Sequence, residues 1–366
     1  MNKRLASLDI LRGADLFLLL VIGPVLHQLL RLFPSWEFLA RQTEHVSWEG
    51  FVLWDLIMPL FLFMSGATIP FSMARYREGI RPGKDFYLKL LRRVFLLFLI
   101  GWAVQGNLLR WSWHLWHPFA NTLQAIAVGY AVTALLFVHL DRQGCIIAGI
   151  LLFAAYWVAF ALTHMNLDPQ DNIAMLIDKA VLGSHRDGVR WADDGSWTYN
   201  PGYQYTWILS SLNFAVTVLL GCLAGDILRN SRKSPAARAG ILALGGILLL
   251  GAGLALSPLF PIIKKIWSSS MTLYAGGLSF LLLALTYWLV DVKGISGGPG
   301  WLRSFGMNSI VAYTVGELID FSSVSRSLLY GFSSWSAYPV LIALANAAIL
   351  TALLHLLYRR RLFLKA

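Results

Sequence analysis

The sequence predicts an all-α integral membrane fold: a polytopic bundle of about ten transmembrane helices with both termini cytoplasmic. Three observations predict it. The first is composition: 57% of the 366 residues are hydrophobic and 13% charged, with mean hydropathy +0.61, whereas soluble domains run at about 45–50% apolar and about 25% charged. The second is that apolar runs long enough to cross about 30 Å of hydrocarbon recur along the whole chain. The third is that the loops between them alternate in charge, as the positive-inside rule requires.

The runs fall at 13–33, 51–73, 94–110, 119–140, 145–163, 206–228, 239–258, 268–290, 304–321 and 338–358. One set of connecting segments holds most of the Lys and Arg: MNKR at the start, 75–93, 141–143, 229–238, 291–294 and 358–365. The other set, 35–50, 111–119, 164–205, 261–267 and 325–338, is rich in Trp, Tyr and His. The basic set is therefore cytoplasmic and the aromatic set lies at the outer interface. The net charge of +11 arises from these short clusters. No basic stripe interleaved with aromatics suggests nucleic acid.

Lys3 and Arg4 precede the first run, but Asp9, Arg12 and Asp15 interrupt it and no small-residue cleavage site ends it. It is read as a retained span, not a signal peptide. Cys145 and Cys222 lie inside spans and read as packing residues. Gly221 and Gly225 have the small-xxx-small spacing of closely packed helices. The segment 164–205 carries six aspartates. It is either a lid over an outer site or a solvated connector.

Polar side chains within spans are costly unless they face a cavity or a partner, so they are the functional candidates. Near the cytoplasmic side lie Asp9 and Arg12 on one helix face, Arg92 and Arg93 at the start of the third span, and Asn308 in the ninth. This set reads either as snorkelling and inter-helix pairing or as a site for a phosphate-bearing ligand, which Arg recognises in bidentate fashion. Near the outer side lie His45, Trp48 and Glu49, with Asp55 just below them, Asn121 and Gln124 on one face of the fourth span, Asn213 in the sixth and Glu317 in the ninth. His27 is a weaker member of this group, and the spacing of His114 and His117 does not argue for a metal. An imidazole above an intramembrane carboxylate suits general-base work, and amide donors suit a developing oxyanion. No Ser or Cys nucleophile arrangement stands out, which argues against an acyl intermediate on either residue type. Two polar groups at opposite faces fit either a transporter or an enzyme that passes an acyl group across the bilayer.

Several segments resemble one family. SLDILRG (7–13), HVSWEGFVLWDLIMPLFLFMSGATIPFS (45–72), NTLQAIAVGYAV (121–132), PIIKKIWSSS (261–270), YWLVDVKG (287–294) and FGMNSIVAY (305–313) are similar, in order and spacing, to the membrane domain of heparan-α-glucosaminide N-acetyltransferase and its bacterial relatives. The resemblance implies one transmembrane acyltransferase domain over 1–366 that uses cytoplasmic acetyl-CoA to acetylate a glucosamine-type amino sugar on the far side. It places the active-site histidine on His45 and the family's Asp-x-x-Arg-Gly on Asp9, Arg12 and Gly13, near the CoA nucleotide.

Combined with the reading of the residues, it gives His45, Asp55, Gln124 and Asn213 catalytic roles. Asp9, Arg12, Arg92, Arg93 and Asn308 are assigned to acetyl-CoA, and Trp48, Glu49, Asn121, Lys264 and Glu317 to the acceptor. No metal is implied, and a homodimer is a family expectation. The family's animal enzyme has a luminal domain ahead of these helices. Its absence here points to a bacterial inner membrane, with 164–205 as a long periplasmic loop. The chain departs from the family pattern at Gly23 and Ile263, where the family has Asn, and at Glu49, where the animal enzyme has Asn. Direct transfer and a histidine-bound acyl intermediate both remain open. The alternatives are an O-acetyltransferase on a surface glycan, and a permease or exporter for a sugar or peptidoglycan fragment. The last needs no CoA.

Overall fold

The computed structural model describes residues 5–106, 112–295, 297 and 299–363. Among these, eight helices are long and apolar enough to cross a membrane: Ala6–Leu30, Leu53–Ser72, Thr122–His139, Arg142–Ala161, Ser210–Arg229, Pro235–Leu256, Ser269–Val292 and Tyr338–Arg359. They coincide with eight of the ten spans expected, and the chain is an all-α polytopic membrane protein.

The other two expected spans differ for physical reasons. The third lies in the helix Lys84–Val104, whose first half carries Lys84, Asp85, Lys89, Arg92 and Arg93 and so leaves a short apolar stretch. Its end, 107–110, falls outside the described residues. The ninth breaks at Asn308, which has φ −109° and ψ 31°, into Arg303–Met307 and Ser309–Leu318. Non-helical backbone at such depth is tolerated where protein covers it, and Asn308 is buried.

By contacts the chain divides into two compact units, one of residues 1–46, 52–57 and 282–366 and the other of 47–51 and 58–281. In the first, the helix Ala6–Phe17 packs against Arg303–Met307. Gly13 and Gly306 permit this, because a Cβ on Gly13 would meet the Leu302 carbonyl and one on Gly306 the Asp9 carbonyl. The glycine of the SLDILRG motif therefore has a packing role. The first helix then passes through a π-helical turn, Leu18–Ile22, into Gly23–Leu30.

In the second unit, Ser210–Arg229 is the central helix, packing against Thr122–His139 and Arg142–Ala161. The expectation for Gly221 and Gly225 is met: their faces lie on the carbonyls of Phe63 and Ala67 in the helix Ile57–Ala67. Both cysteines are buried and unbridged.

The acidic segment 164–205 is folded. It holds the helix Ile173–Leu182 and an antiparallel hairpin of Val189–Trp191 with Trp197–Tyr199, with Arg190 opposite Thr198. Asp178 is fully buried, and its carboxylate accepts the backbone N–H groups of Trp207 at 2.8 Å and Ile208 at 2.9 Å. Burial pushes its pKa up to about 6 despite those two bonds. Arg186 is also buried and donates to the Tyr205 carbonyl at 3.0 Å. The segment is thus clamped to the start of the central helix.

Candidate functional site

In the first unit the chain enters its second membrane helix from an extended residue, Val52, followed by the turn Leu53–Leu56. The first N–H groups of a helix have no intrahelical acceptor, and two side chains supply acceptors here. Gln42 Oε1 takes the Leu53 N–H at 3.1 Å, and Asp55 Oδ2 reaches back to the Val52 N–H at 3.2 Å. A carboxylate in a first helical turn also complements the helix dipole.

The other carboxylate oxygen, Asp55 Oδ1, lies 2.7 Å from His45 Nδ1. A carboxylate only accepts, so Nδ1 carries the proton, and the imidazole presents Nε2 as its basic nitrogen. The Asp55 side chain is 1% exposed and that of His45 41%. A buried carboxylate therefore orients an imidazole that solvent and solutes reach. The sequence named both residues, and the structure brings them together.

The same unit contains a cavity of about 1030 Å³ whose wall includes Thr43, Trp54, His27 and Glu317. Thr43 and Trp54 are close neighbours in sequence of His45 and Asp55 respectively. Gly23 is required there, since any Cβ would run into the Trp54 indole. Arg31 and Arg326 also line the cavity. Sequence reasoning missed both, because an Arg at a span end or in an outer loop reads as interfacial.

At the start of the first helix of this unit, the N–H of Ser7 donates to Asp291 Oδ2 at 3.2 Å. Asp9 is buried and Arg12 half-buried on the same helix. Asn308 Oδ1, Ser7 Oγ and Arg303 Nε are buried without a hydrogen-bond partner among the described residues. Each of these buried atoms has a hydrogen bond still to make, as have one carboxylate oxygen of Asp9 and one of Asp15 among the described residues.

In the second unit, Asn121 caps the helix Thr122–His139, its Oδ1 accepting from Leu123 at 2.9 Å and Gln124 at 3.2 Å. Gln124 Oε1 in turn accepts from Ala120 at 2.7 Å and Asn121 at 3.2 Å. Both carbonyl oxygens are thereby committed, and the amide nitrogens Asn121 Nδ2 and Gln124 Nε2 remain buried without partners among the described residues. Two donors at a helix N-terminus favour an anionic or carbonyl oxygen.

Asn213 donates an N–H to the Trp267 carbonyl at 2.8 Å. It thereby holds a tight turn in which Trp267 has φ 54°, a left-handed conformation that costs a non-glycine residue about 1 kcal/mol or more. Lys264 in that turn is buried, as is Ile263, which sits in an apolar cluster with Tyr156, Phe160 and Phe260. Trp48 packs on the same cluster, and the Gly50 N–H bonds the Ile262 carbonyl at 2.8 Å. Trp48 and the Lys264 turn are therefore neighbours, while Glu49 is exposed. Arg92 is exposed, and Arg93 lies 4.0 Å over the Tyr130 ring, so the two arginines, consecutive on a helix, face different surroundings. Among the described residues there is no cluster of three or more His, Cys, Asp or Glu that could hold a metal ion.

Fold and site together define a multi-pass, all-α membrane protein with a carboxylate-oriented histidine. Its homologues are heparan-alpha-glucosaminide N-acetyltransferases. The chain is 24% identical to that of Mus musculus and 26% identical to that of Homo sapiens, in each case over 99% of its own length. It spans 60% of the length of these curated relatives. No family model matches the chain. The resemblance read from the motifs is thus shown along essentially the whole chain.

Proposed function

We propose that the protein is a transmembrane N-acetyltransferase that moves an acetyl group from cytoplasmic acetyl-CoA to a glucosamine-type amino sugar at the outer, periplasmic side of a bacterial inner membrane. The observation that carries the reading is the pair of His45 and buried Asp55 at 2.7 Å, in a chain whose homologues are named as amino-sugar N-acetyltransferases.

Amino sugars arrive as ammonium ions, which are not nucleophiles. His45 Nε2 takes a proton from the ammonium, and Asp55 stabilises the imidazolium that results. The amine nitrogen attacks the thioester carbonyl, the C–N bond forms, the C–S bond breaks, and the electron pair leaves on the CoA sulfur. That thiolate recovers a proton, leaving an N-acetyl amide and CoA. A histidine-bound acetyl remains a second route with the same products.

The residues at the inner end of the first unit fit a nucleotide donor. Arg12 and Arg303 are cations for phosphate, and Ser7 and Asn308 carry polar atoms with bonds still to make. Arg92 and Arg93 are assigned to the same ligand by charge. In the second unit, Asn121 and Gln124 have the donor chemistry an oxyanion requires, and Asn213 acts by holding the Lys264 turn. Each of these roles is tested by substitution to Ala.

The decisive variant is His45→Ala in proteoliposomes given labelled acetyl-CoA and glucosamine. General-base groups contribute about 10²–10⁴-fold, so transfer falls by at least about 100-fold. Retained transfer removes His45 from the mechanism. A permease would move the sugar unmodified, with no gain in thermal stability from millimolar acetyl-CoA. An O-acetyltransferase would give an ester, which mass spectrometry and mild base distinguish from an amide.

A further inference from the structure

The wall of the cavity in the first unit combines an apolar stretch with polar and charged residues, among them Asn346, which bonds Ser322 at 3.2 Å. The apolar stretch is made by Leu19 and Leu20, from the π-helical turn, and by Ala347 and Leu350 of the last helix. Arg31, Glu317, Asp320 and Arg326 supply the charge on the wall, with Arg31 a helical run away from Leu19 and Arg326 beside Tyr338 at the far end from Leu350. Leu19 and Arg31 are twelve residues apart along one helical run, as are Leu350 and Tyr338 along another, so the cavity extends about 18 Å at about 1.5 Å per residue. A free monosaccharide would leave the apolar stretch unfilled. π-helical turns also tend to occur where a helix has been adapted to a ligand.

We infer that the acceptor is an amphiphile: an amino sugar joined through a phosphodiester to a hydrocarbon chain. The chain lies along Leu19, Leu20, Ala347 and Leu350. The phosphodiester meets Arg31 and Arg326, whose guanidinium groups suit phosphate. Glu317 attracts the sugar ammonium on its way to His45, and Gln28, Thr43 and Ser322 meet hydroxyl groups. Thr43 does so as acceptor, because its own hydroxyl donates to the Ala40 carbonyl at 2.8 Å, and Ser322 as donor, because its Oγ accepts from Asn346 at 3.2 Å. Asp320 is committed to the Ser322 N–H at 2.8 Å and serves to shape the wall. The aminophospholipid phosphatidylethanolamine carries the same two charges, but it has no ring hydroxyls for those polar side chains. This inference rests on the acetyltransferase reading for its chemistry, and on the cavity alone for its ligand class.

The test compares three acceptors with purified protein and labelled acetyl-CoA: glucosamine, glucosamine 1-phosphate and the dodecyl phosphodiester of glucosamine. The expected result is a kcat/KM for the diester at least tenfold above that for the free phosphate. Ala347→Trp, which fills the apolar stretch, removes that gain, and Arg326→Gln lowers the diester more than glucosamine. Native mass spectrometry of the wild type, with and without competing phosphatidylethanolamine, reads binding independently of turnover.

Equal kcat/KM for all three acceptors overturns the inference, as does full displacement of the diester by equimolar phosphatidylethanolamine. If no acceptor is acetylated but the diester is retained by wild type and lost by Ala347→Trp, the ligand class stands and the acetyltransferase reading falls. Acetylation of glucosamine without preference for the diester does the reverse: the acetyltransferase reading stands and the ligand class falls.

Discussion

Replacing Asp55 by Asn changes one oxygen to an amide nitrogen and removes a buried charge without changing shape. The side chain is 1% exposed and holds His45 Nδ1 at 2.7 Å. Hydrogen bonds to charged groups contribute about 1.5–3 kcal/mol, against about 0.5–1.5 kcal/mol for neutral pairs. Asn keeps its carbonyl oxygen on Nδ1 only by turning its NH2 towards the Val52 N–H, which then loses its acceptor. The His45 bond therefore weakens without being lost, and the helix start gives up one cap. The imidazolium formed during proton transfer loses its counter-charge, and about 2 kcal/mol of transition-state stabilisation disappears. At about 1.4 kcal/mol per tenfold, kcat falls roughly 30-fold. Asp55 acts through His45, so KM for the amino sugar stays near its wild-type value. The double variant His45→Ala/Asp55→Asn is then no slower than His45→Ala alone. Steady-state acetyl transfer in proteoliposomes reads all four enzymes. A kcat for Asp55→Asn within twofold of wild type refutes the reasoning. So does a double variant that loses a further 30-fold.

Two other perturbations test the scaffold. Gly23→Asn drives a side chain into the Trp54 indole; overpacking of this kind costs about 1–3 kcal/mol, so the melting temperature in detergent falls, and an unchanged value contradicts the contact. Asp178 has a folded pKa of about 6, above the unfolded value of about 3.9, so the folded chain binds the extra proton between those limits. The contribution of Asp178 to stability is therefore fully present below about pH 4 and is lost, by at most about 3 kcal/mol, as pH rises through about 6. Asp178→Asn flattens that part of the curve and strands one of the Trp207 and Ile208 N–H groups, whereas Asp178→Ala flattens it and strands both, at about 1–3 kcal/mol each; thermal unfolding across pH distinguishes the two.

The spans were legible because hydrocarbon imposes one length and one chemistry on every crossing helix. The break at Asn308 was not, since a single amide in an apolar run carries no signal that its backbone leaves the helix. The pairing of His45 with Asp55 was legible from a loop imidazole followed by a carboxylate at the head of a membrane helix. Asn213 shows the opposite case. Its depth marked it as functional, but its partner is a carbonyl 54 residues away, and no spacing rule reports that.

Asp178 sits in a segment that reads from sequence as either a lid or a solvated connector, and its burial depends on contact with residues 207–208. Arg31 and Arg326 look interfacial one at a time. Only the fold places both on the wall of one cavity. Gly13 had a functional association by resemblance, and the structure adds a steric one.

In the proposed reaction an acetyl group crosses the bilayer while the donor and the acceptor do not. The direct measurement uses sealed proteoliposomes of one orientation, with radiolabelled acetyl-CoA facing the basic loops and glucosamine confined to the other side. Labelled N-acetylglucosamine is expected on the glucosamine side, dependent on His45, with no acetyl-CoA found there. Product formed only when both substrates share one side contradicts the proposal, as does unmodified glucosamine appearing across the membrane.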